Sequence, residues 1–195
     1  MDNIIIKAKS EFLKSMKKAK NDKFRLGFHV FEVERWAKYM LNRHKEADAE
    51  IVLLGVWLHD IGQYQGISKK VNEAEDHAIS SEKAARIFLE NNKYPKEKMI
   101  KVLHAVRAHR CKDVLPETIE AKIVACCDSA SHFTDGVYIR LIMAFDKEKR
   151  DRNYVLGKID RDFRDLAMFP EIQKKLEPVY HSWKILLENY LKIKY

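Results

Sequence analysis

The sequence predicts an all-α fold, a compact multi-helix bundle. Apolar residues recur at helical spacing along nearly all of the 195 residues, and no segment alternates apolar and polar residues as a half-buried strand does. The chain has only 6 Gly and 4 Pro, so few positions interrupt a helix. Its length suits one domain, which we expect to span residues 1–195.

Three helices are expected in the first third of the chain, over residues 2–20, 28–46 and 49–60. The apolar positions that define the first two are Ile5, Phe12, Leu13 and Met16, and then Val33, Trp36, Ala37, Met40 and Leu41. The third is almost entirely apolar. The following stretch, GQYQGISKKVNEAED, breaks the pattern, and we expect a loop there; loops of this length are often functional.

The later helices follow from the same spacing and from their stop signals. They are expected over residues 74–91, 95–110, 116–132 and 136–193. Asn91 and Asn92 are plausible stops, and Pro95 suits the first turn of the next helix. The last range should hold two or three helices, with breaks near Gly157 and Pro170.

The composition narrows the class of partner. The net charge of +8 favours anionic partners, but a solvated basic surface is a simpler explanation than a nucleic-acid interface, so nucleic acid is the less favoured partner. The longest apolar run is far shorter than the roughly 20 residues of a membrane span. Three cysteines, two of them adjacent, argue against a disulfide framework. We therefore expect a soluble, cytoplasmic protein without a membrane partner.

The most informative dipeptide is His59-Asp60, at the end of the apolar segment LLGVWL. Burial of a carboxylate is costly unless it is paired or binds a metal. Helical spacing places His29 on the same face as Val33, and Asp128 on the same face as Ala125. Three core-facing helices therefore offer imidazole and carboxylate groups, which suit divalent ions such as Mn²⁺, Fe²⁺, Ni²⁺ or Zn²⁺.

The order His…His-Asp…Asp, with the tetrapeptide HDIG after an aliphatic run, resembles the HD-domain superfamily of metal-dependent phosphohydrolases. The resemblance covers about residues 25–135, the expected metal-binding core, and leaves a C-terminal helical extension over 136–195. It implies an all-α bundle. It also implies that one divalent metal is bound by the ligand set His29, His59, Asp60 and Asp128.

Two further histidines, His77 and His109, are expected to face inward from the intervening helices. In many family members such histidines bind a second metal or contact the substrate phosphate. The resemblance therefore implies one or two divalent ions, of Mn, Fe, Ni, Mg or Zn. His104 lies about 140° around its helix from His109 and is the less favoured candidate.

The implied activity is hydrolysis of a phosphate ester or anhydride in a nucleotide or related small molecule, by attack of metal-activated water. Asp60 and Asp128 are the candidate catalytic residues, since either can orient that water. The candidate phosphate-binding residues are Arg25, Lys69, Lys70, Arg107 and Arg110. Gln63 stands where some family branches carry Glu or Lys, and it supplies no charge.

Two alternatives remain open at this point. A few family members are oxygenases with two irons, and a ligand set with six members would permit that reaction. The second alternative is a non-catalytic module, in which the metal only joins helices and the positive charge binds nucleic acid.

His132 and Asp135 are expected near the pocket mouth. The helices after residue 136 can cap the site or form a homodimer interface, and the sequence does not decide between them.

Overall fold

A computed structural model describes residues 4–18, 26–63, 76–148 and 153–192, and all regular structure within these ranges is helical. This confirms the all-α prediction. The helices are α1 (Ile4–Lys18), α2 (Leu26–Leu41), α3 (Ala49–Leu58), α4 (His77–Asn91), α5 (Lys96–Ala108), α6 (Ile119–Thr134), α7 (Val137–Glu148), α8 (Asn153–Asp165) and α9 (Pro170–Lys192). Short 3₁₀ turns cover Ile61–Gln63 and Leu166–Met168.

Helix α3 lies at the centre of the bundle, against α1, α2, α5 and α6. It is apolar around its whole circumference, as a helix with neighbours on all sides must be. The Asp48 carboxylate caps its first turn by accepting hydrogen bonds from the backbone N–H groups of Glu50 and Ile51, at 3.0 and 3.4 Å. Gly55 allows close packing, because a Cβ there would lie 2.9 Å from Val124 Cγ2.

The remaining helices pack around this centre and against one another. Helix α2 packs along α6, α4 along α5, and α5 along α6. On the other side of α6, helices α8 and α9 pack against it and against each other. Within the ranges that the structure covers, no helix has both the length and the apolar character needed to cross a membrane.

Some of the expected boundaries are wrong. Helix α2 ends at Leu41 rather than near residue 46, because the chain turns there, with Ala47 N–H donating to the His44 carbonyl at 3.2 Å. Helix α6 begins at Ile119, where Thr118 Oγ1 accepts from the Ala121 N–H at 3.2 Å. The expected break near Gly157 does not occur.

Gly157 lies inside α8, whose buried face carries Val155, Ile159 and Asp162. Tertiary packing of this face outweighs the cost of about 1 kcal/mol that a mid-helix glycine imposes. The break near Pro170 is confirmed, since Pro170 begins α9. Of the expected loop after His59-Asp60, residues 62 and 63 form part of a 3₁₀ turn, and residues 64–75 lie outside the described ranges.

Candidate metal centre

Three ligand atoms from three helices form the first group of the site. His29 Nε2 lies 2.9 Å from Asp128 Oδ1 and 3.4 Å from His59 Nε2, and His59 Nε2 lies 3.6 Å from Asp128 Oδ1. All three residues are buried. The expected convergence of His29, His59 and Asp128 therefore occurs, although the three are separated by 30 to 99 positions along the chain.

A second group lies directly beside the first. His77 Nε2 is 3.5 Å from Asp60 Oδ1 and 3.3 Å from His109 Nε2, and His109 Nε2 is 3.9 Å from Asp60 Oδ1. Helix α4 supplies His77 at its first residue, and His109 follows the last residue of α5. The two helices that the sequence singled out thus bring their histidines to Asp60.

Asp60 joins the two groups. Its Oδ2 lies 3.6 Å from His59 Nε2, whereas its Oδ1 faces the second group. Asp60 Oδ1 is a buried oxygen without a hydrogen-bond partner among the described residues. A buried carboxylate oxygen left in this state is costly unless a cation binds it.

The glycine of HDIG explains how α4 reaches Asp60. A Cβ at Gly62 would lie 2.4 Å from the backbone nitrogen of Ser81, so only glycine lets the turn after His59-Asp60 touch α4. The Gly62 N–H also donates to Ser81 Oγ at 3.1 Å. This close approach places the first turn of α4, and with it His77, beside Asp60.

His59 and His109 are oriented by the same local device. Each follows the last residue of its helix and directs Nδ1 to the carbonyl three residues earlier, Val56 at 2.7 Å and Val106 at 2.6 Å. Because a carbonyl only accepts, Nδ1 carries the hydrogen and Nε2 presents its lone pair to the site. Metal-binding histidines are usually held in this way by a partner on the other nitrogen.

His29 is oriented by side chains instead. Its Nδ1 lies 3.0 Å from Asp135 Oδ2 and 3.0 Å from Ser131 Oγ, while the Ser131 hydroxyl itself donates to the Asp128 carbonyl at 2.7 Å. The Nδ1 hydrogen therefore points to these acceptors, and Nε2 faces the Asp128 carboxylate. A cation or a proton at Nε2 is required to relieve the repulsion between these two acceptors.

The electrostatics of the site follow from burial and close pairing. Burial alone would lower the pKa of His29, but its hydrogen bonds to Asp128 and Asp135 outweigh burial and raise the pKa to about 10. Burial would raise the pKa of Asp60, yet the neighbouring histidines hold it well below its ordinary value. Burial lowers the pKa of His109 to about 3, so its imidazole is neutral, as a metal ligand requires.

The residues present fit a divalent metal. At metal–ligand distances of about 2.1 Å, adjacent ligand atoms lie about 3.0 Å apart and opposite ones about 4.2 Å. The distances of 2.9 to 3.6 Å in the first group and 3.3 to 3.9 Å in the second lie within about 0.1 Å of this range or inside it. Asp60 Oδ1, which lacks a hydrogen-bond partner in the part of the chain that the structure describes, and the inward lone pairs of His59 and His109 are the groups that a cation would satisfy.

Two of the ligand side chains are partly accessible to solvent. The His77 side chain is 35% exposed and that of Asp128 is 12% exposed, whereas His59 is fully buried. A shell of ligands that is closed on every side, as in a purely structural metal site, would leave none of them accessible.

The basic residues predicted to bind phosphate are distributed differently. Arg107 pairs with Asp113 and Glu82 on the surface of α5. Arg110 pairs with Asp76, the residue that caps α4 just before His77, so it lies near the exposed side of the second group. The other three predicted contacts, Arg25, Lys69 and Lys70, lie outside the described residues.

The remaining polar candidates are placed as follows. His104 faces away from the cluster, and its Nε2 accepts a hydrogen bond from the Glu117 N–H at 3.0 Å. Gln63 ends the 3₁₀ turn after Asp60. His132 and Asp135 both contact the first group, His132 through Asp128 and Asp135 through His29.

Sequence reasoning missed two charged residues of α8 that lie behind His132. Asp162 Oδ2 is 3.1 Å from His132 Nδ1, and Lys158 Nζ is 3.0 Å from the same carboxylate oxygen. A signal for Asp162 was present, because it shares helical spacing with the apolar residues Val155 and Ile159. An acidic residue on an apolar helix face indicates a buried partner.

Fold and ligand set together define a class of protein, an all-α bundle whose core carries a His/Asp cluster able to hold divalent metal. The family model described as HD domain matches residues 26–131, more than half of the chain. The chain therefore belongs to the HD-domain superfamily of metal-dependent phosphohydrolases. Searches of curated proteins and of solved structures found no match.

Proposed function

We propose that this protein is a metal-dependent phosphohydrolase that cleaves a phosphate ester or anhydride of a nucleotide or a related small molecule. The observation that carries the proposal is the convergence of six His and Asp residues in two adjacent groups. The Asp60 carboxylate joins the groups, and its buried Oδ1 has no hydrogen-bond partner within the described ranges. Family membership supports the reaction class, and the net charge of +8 supports an anionic substrate.

The ligand assignment follows the two groups. His29, His59 and Asp128 would hold one ion, and the second group would hold another, with Asp60 facing both. When bound, a divalent metal lowers the pKa of coordinated water from about 15.7 towards about 7 and polarises a phosphoryl oxygen. Imidazole and carboxylate ligands fit Mn²⁺, Fe²⁺, Ni²⁺ and Zn²⁺, and Mg²⁺ is also open.

The chain's own side chains supply orientation and shielding. Asp128 is the more exposed of the two candidate catalytic carboxylates, so it can accept a hydrogen bond from the attacking water. Asp60, almost fully buried, fixes the separation of the two groups. The apolar helix α3 behind His59 keeps bulk water out, which strengthens the attraction between the site and an anionic substrate.

A cytoplasmic location remains part of the proposal. The cysteines at 111, 126 and 127 are all free thiols, which suits a reducing compartment. Burial raises the pKa of Cys127 well above its ordinary value, so this neighbour of Asp128 is an unreactive thiol rather than a further ligand.

The test compares ligand variants with a histidine outside the cluster. His59→Ala and Asp128→Asn should each reduce bound Mn²⁺, and hydrolysis of a panel of nucleotides and model phosphoesters should fall at least a hundredfold. His104→Ala is the matched control and should keep metal and activity, because His104 only accepts from a surface backbone N–H. Hydrolysis that persists after removal of all metal would contradict the proposal.

One observation favours a second candidate function. Four of the six converging residues are histidines, a nitrogen-rich set that also fits a pair of irons. The alternative is therefore an oxygenase with two irons. Protein purified without added metal would then contain about two irons per chain and consume dissolved oxygen with a substrate.

A non-catalytic metal module is less well supported, since His77 and Asp128 are partly exposed.

A further inference from the structure

A second polar cluster lies beside the first metal group and is built from α6, α7 and α8. Its members are His132, Tyr138, Lys158 and Asp162. Asp162 is 6% exposed, and three neighbours surround its carboxylate: the Tyr138 hydroxyl donates to Oδ2 at 2.8 Å, Lys158 Nζ lies 3.0 and 3.1 Å from the two oxygens, and His132 Nδ1 lies 3.1 Å from Oδ2. Helix α8 lies outside the matched region of the family model.

The hydrogen bonds among the described residues of this cluster leave one ring nitrogen of His132 without a partner. Lys158 has three N–H groups, and it contacts both Asp162 oxygens and His132 Nδ1, the last at 3.2 Å. Tyr138 donates its only hydrogen to Asp162. The two contacts that His132 makes in this cluster, with Lys158 and with Asp162, both involve its Nδ1. The other ring nitrogen, Nε2, makes no hydrogen bond within the described ranges.

His132 directs this remaining nitrogen at the metal centre. Its ring stacks on that of His29, with centroids 5.0 Å apart and planes 9° from parallel. Nε2 lies 3.7 Å from Asp128 Oδ1, too far for a hydrogen bond. Both side chains are 12% exposed, so solvent reaches each of them.

His132 is nevertheless not placed as a metal ligand. In the described part of the chain it belongs to neither of the groups whose ligand atoms lie within 4.8 Å of one another. Two ligands of one ion lie at most about 4.2 Å apart. The imidazole therefore lies beside the first group without belonging to it.

The hydrogen-bonding role of Nε2 follows from its neighbours. Nδ1 lies 3.1 Å from an acceptor, Asp162 Oδ2, and 3.2 Å from a donor, Lys158 Nζ, so its own contacts are compatible with either tautomer. The Asp128 carboxylate, 3.7 Å from Nε2, is an acceptor, and it favours the tautomer in which Nε2 carries the hydrogen and Lys158 donates to Nδ1. Nε2 is therefore a donor, and the oxygens of a phosphoryl group are acceptors.

We propose that His132 is a further catalytic residue, whose Nε2–H donates a hydrogen bond to a phosphoryl oxygen of the substrate, and that Asp162 and Lys158 are positioning residues for its ring. The inference rests on the proposed phosphohydrolase function. It assigns to helix α8 an indirect part in holding the substrate, through the ring of His132.

The experiment uses two amides that each replace one ring nitrogen of His132. In His132→Gln the side-chain amide reaches about as far as Nε2, whereas in His132→Asn it reaches about as far as Nδ1. A purely structural histidine, which needs only its contact with Asp162, would be replaced better by Asn. A histidine that contacts phosphate would be replaced better by Gln.

The main readout is the binding of inorganic phosphate to the full-length, Mn²⁺-loaded protein, measured by titration calorimetry. His132→Ala and His132→Asn should weaken phosphate binding about tenfold to a hundredfold, the effect of one lost hydrogen bond to a charged group. His132→Gln should retain most of the affinity. Mn²⁺ stoichiometry should be unchanged in all three variants, and His181→Ala, on the exposed face of α9, should match the unmodified protein.

The outcomes separate this inference from the proposed function. If the unmodified protein hydrolyses phosphoesters but all His132 variants bind phosphate equally well, or if Asn restores binding and Gln does not, the role of His132 is refuted and the function stands. If the unmodified protein binds neither Mn²⁺ nor phosphate, both are refuted. A loss of Mn²⁺ in His132→Gln would make His132 a ligand and would also overturn the inference.

Discussion

At the scale of single residues, the orientation of imidazole rings matters most. His59 and His109 each follow the last residue of a helix, and the Nδ1–H of each ring donates to a backbone carbonyl in the last turn of that helix. This hydrogen bond fixes the tautomer of the ring. His29 reaches the same result through Asp135, which follows the last residue of α6. These rings are therefore held ready for a cation by local backbone and side-chain contacts, which reduces the entropy lost on metal binding.

A residue-scale prediction concerns Asp165, at the end of α8. Burial, together with the charge of Asp162, raises its pKa from 3.8 to about 7. The folded state thus binds the proton more tightly than the unfolded chain, so this stabilising contribution is present below about pH 4 and is lost as the pH rises to 7. Asp165→Asn should therefore stabilise the metal-free protein at pH 8 by about 1–2 kcal/mol, after allowance for solvent screening.

The measurement is chemical unfolding in the presence of a chelator at pH 4 and pH 8. At pH 4 the variant and the unmodified protein should differ little, because both carry a neutral side chain when folded. Asp160→Asn is the matched control: Asp160 is half exposed and pairs with Lys184, so its loss should not be stabilising at pH 8. An equal effect of Asp165→Asn at both pH values would contradict the assignment.

At the scale of elements, glycine has opposite effects on the stability of two helices. In α3, a Cβ at Gly55 would meet Val124 at 2.9 Å and Ala105 at 3.4 Å, because three helices meet there. In α8, a Cβ at Gly157 would meet only the guanidinium end of Arg161 at 3.4 Å, a group that can move aside. The same residue type is thus required by packing in one helix and is a conformational cost in the other.

The corresponding prediction pairs two alanine substitutions. Gly157→Ala should raise the free energy of unfolding by about 0.5–1 kcal/mol, since alanine restricts the unfolded chain and favours helix. Gly55→Ala should lower it by about 1–3 kcal/mol through overpacking. Urea unfolding of both variants gives the two signs directly. A stabilising Gly55→Ala would show that α3 has more room than the structure indicates.

The helices also show which parts of the fold and of the site can be predicted from the sequence and which cannot. Helical periodicity and HDIG sufficed for the all-α fold and for the residues that converge at Asp60. The break expected at Gly157 was wrong because the amphipathic face of α8 determines that helix, and single-residue propensity is weaker than packing. Lys158 and Asp162 were missed because the contact between α8 and α6 is tertiary, and no local pattern reports which helices become neighbours.

At the scale of the whole molecule, the cluster gathers carboxylates that repel one another. Asp60, Asp128, Asp135 and Asp162 lie within one buried region and are held ionised by histidines, Arg140 and Lys158. A divalent ion that binds only the folded chain would offset this repulsion and shift the folding equilibrium by mass action. Metal content should therefore govern global stability as well as activity.

A whole-molecule prediction follows for thermal unfolding. Mn²⁺ at a hundred times its dissociation constant should stabilise the protein by about 2.7 kcal/mol, which for a chain of this size raises Tm by about 5–10 °C relative to the chelated protein. Asp128→Asn should lose most of this increase, whereas His104→Ala should keep it. A Tm that does not respond to Mn²⁺ would argue against a metal bound in the core.

The converging residues and the residues that hold His132 lie in different stretches of the chain, and this separation has an evolutionary consequence. The six converging residues all lie between His29 and Asp128, whereas the groups that hold His132 come from the later helices α7 and α8. On the proposed role of His132, mutations in the second stretch would change what the protein recognises without altering the six converging residues. Members of the superfamily would then diverge in selectivity by exchanging their C-terminal helices, while the proposed reaction chemistry is inherited unchanged.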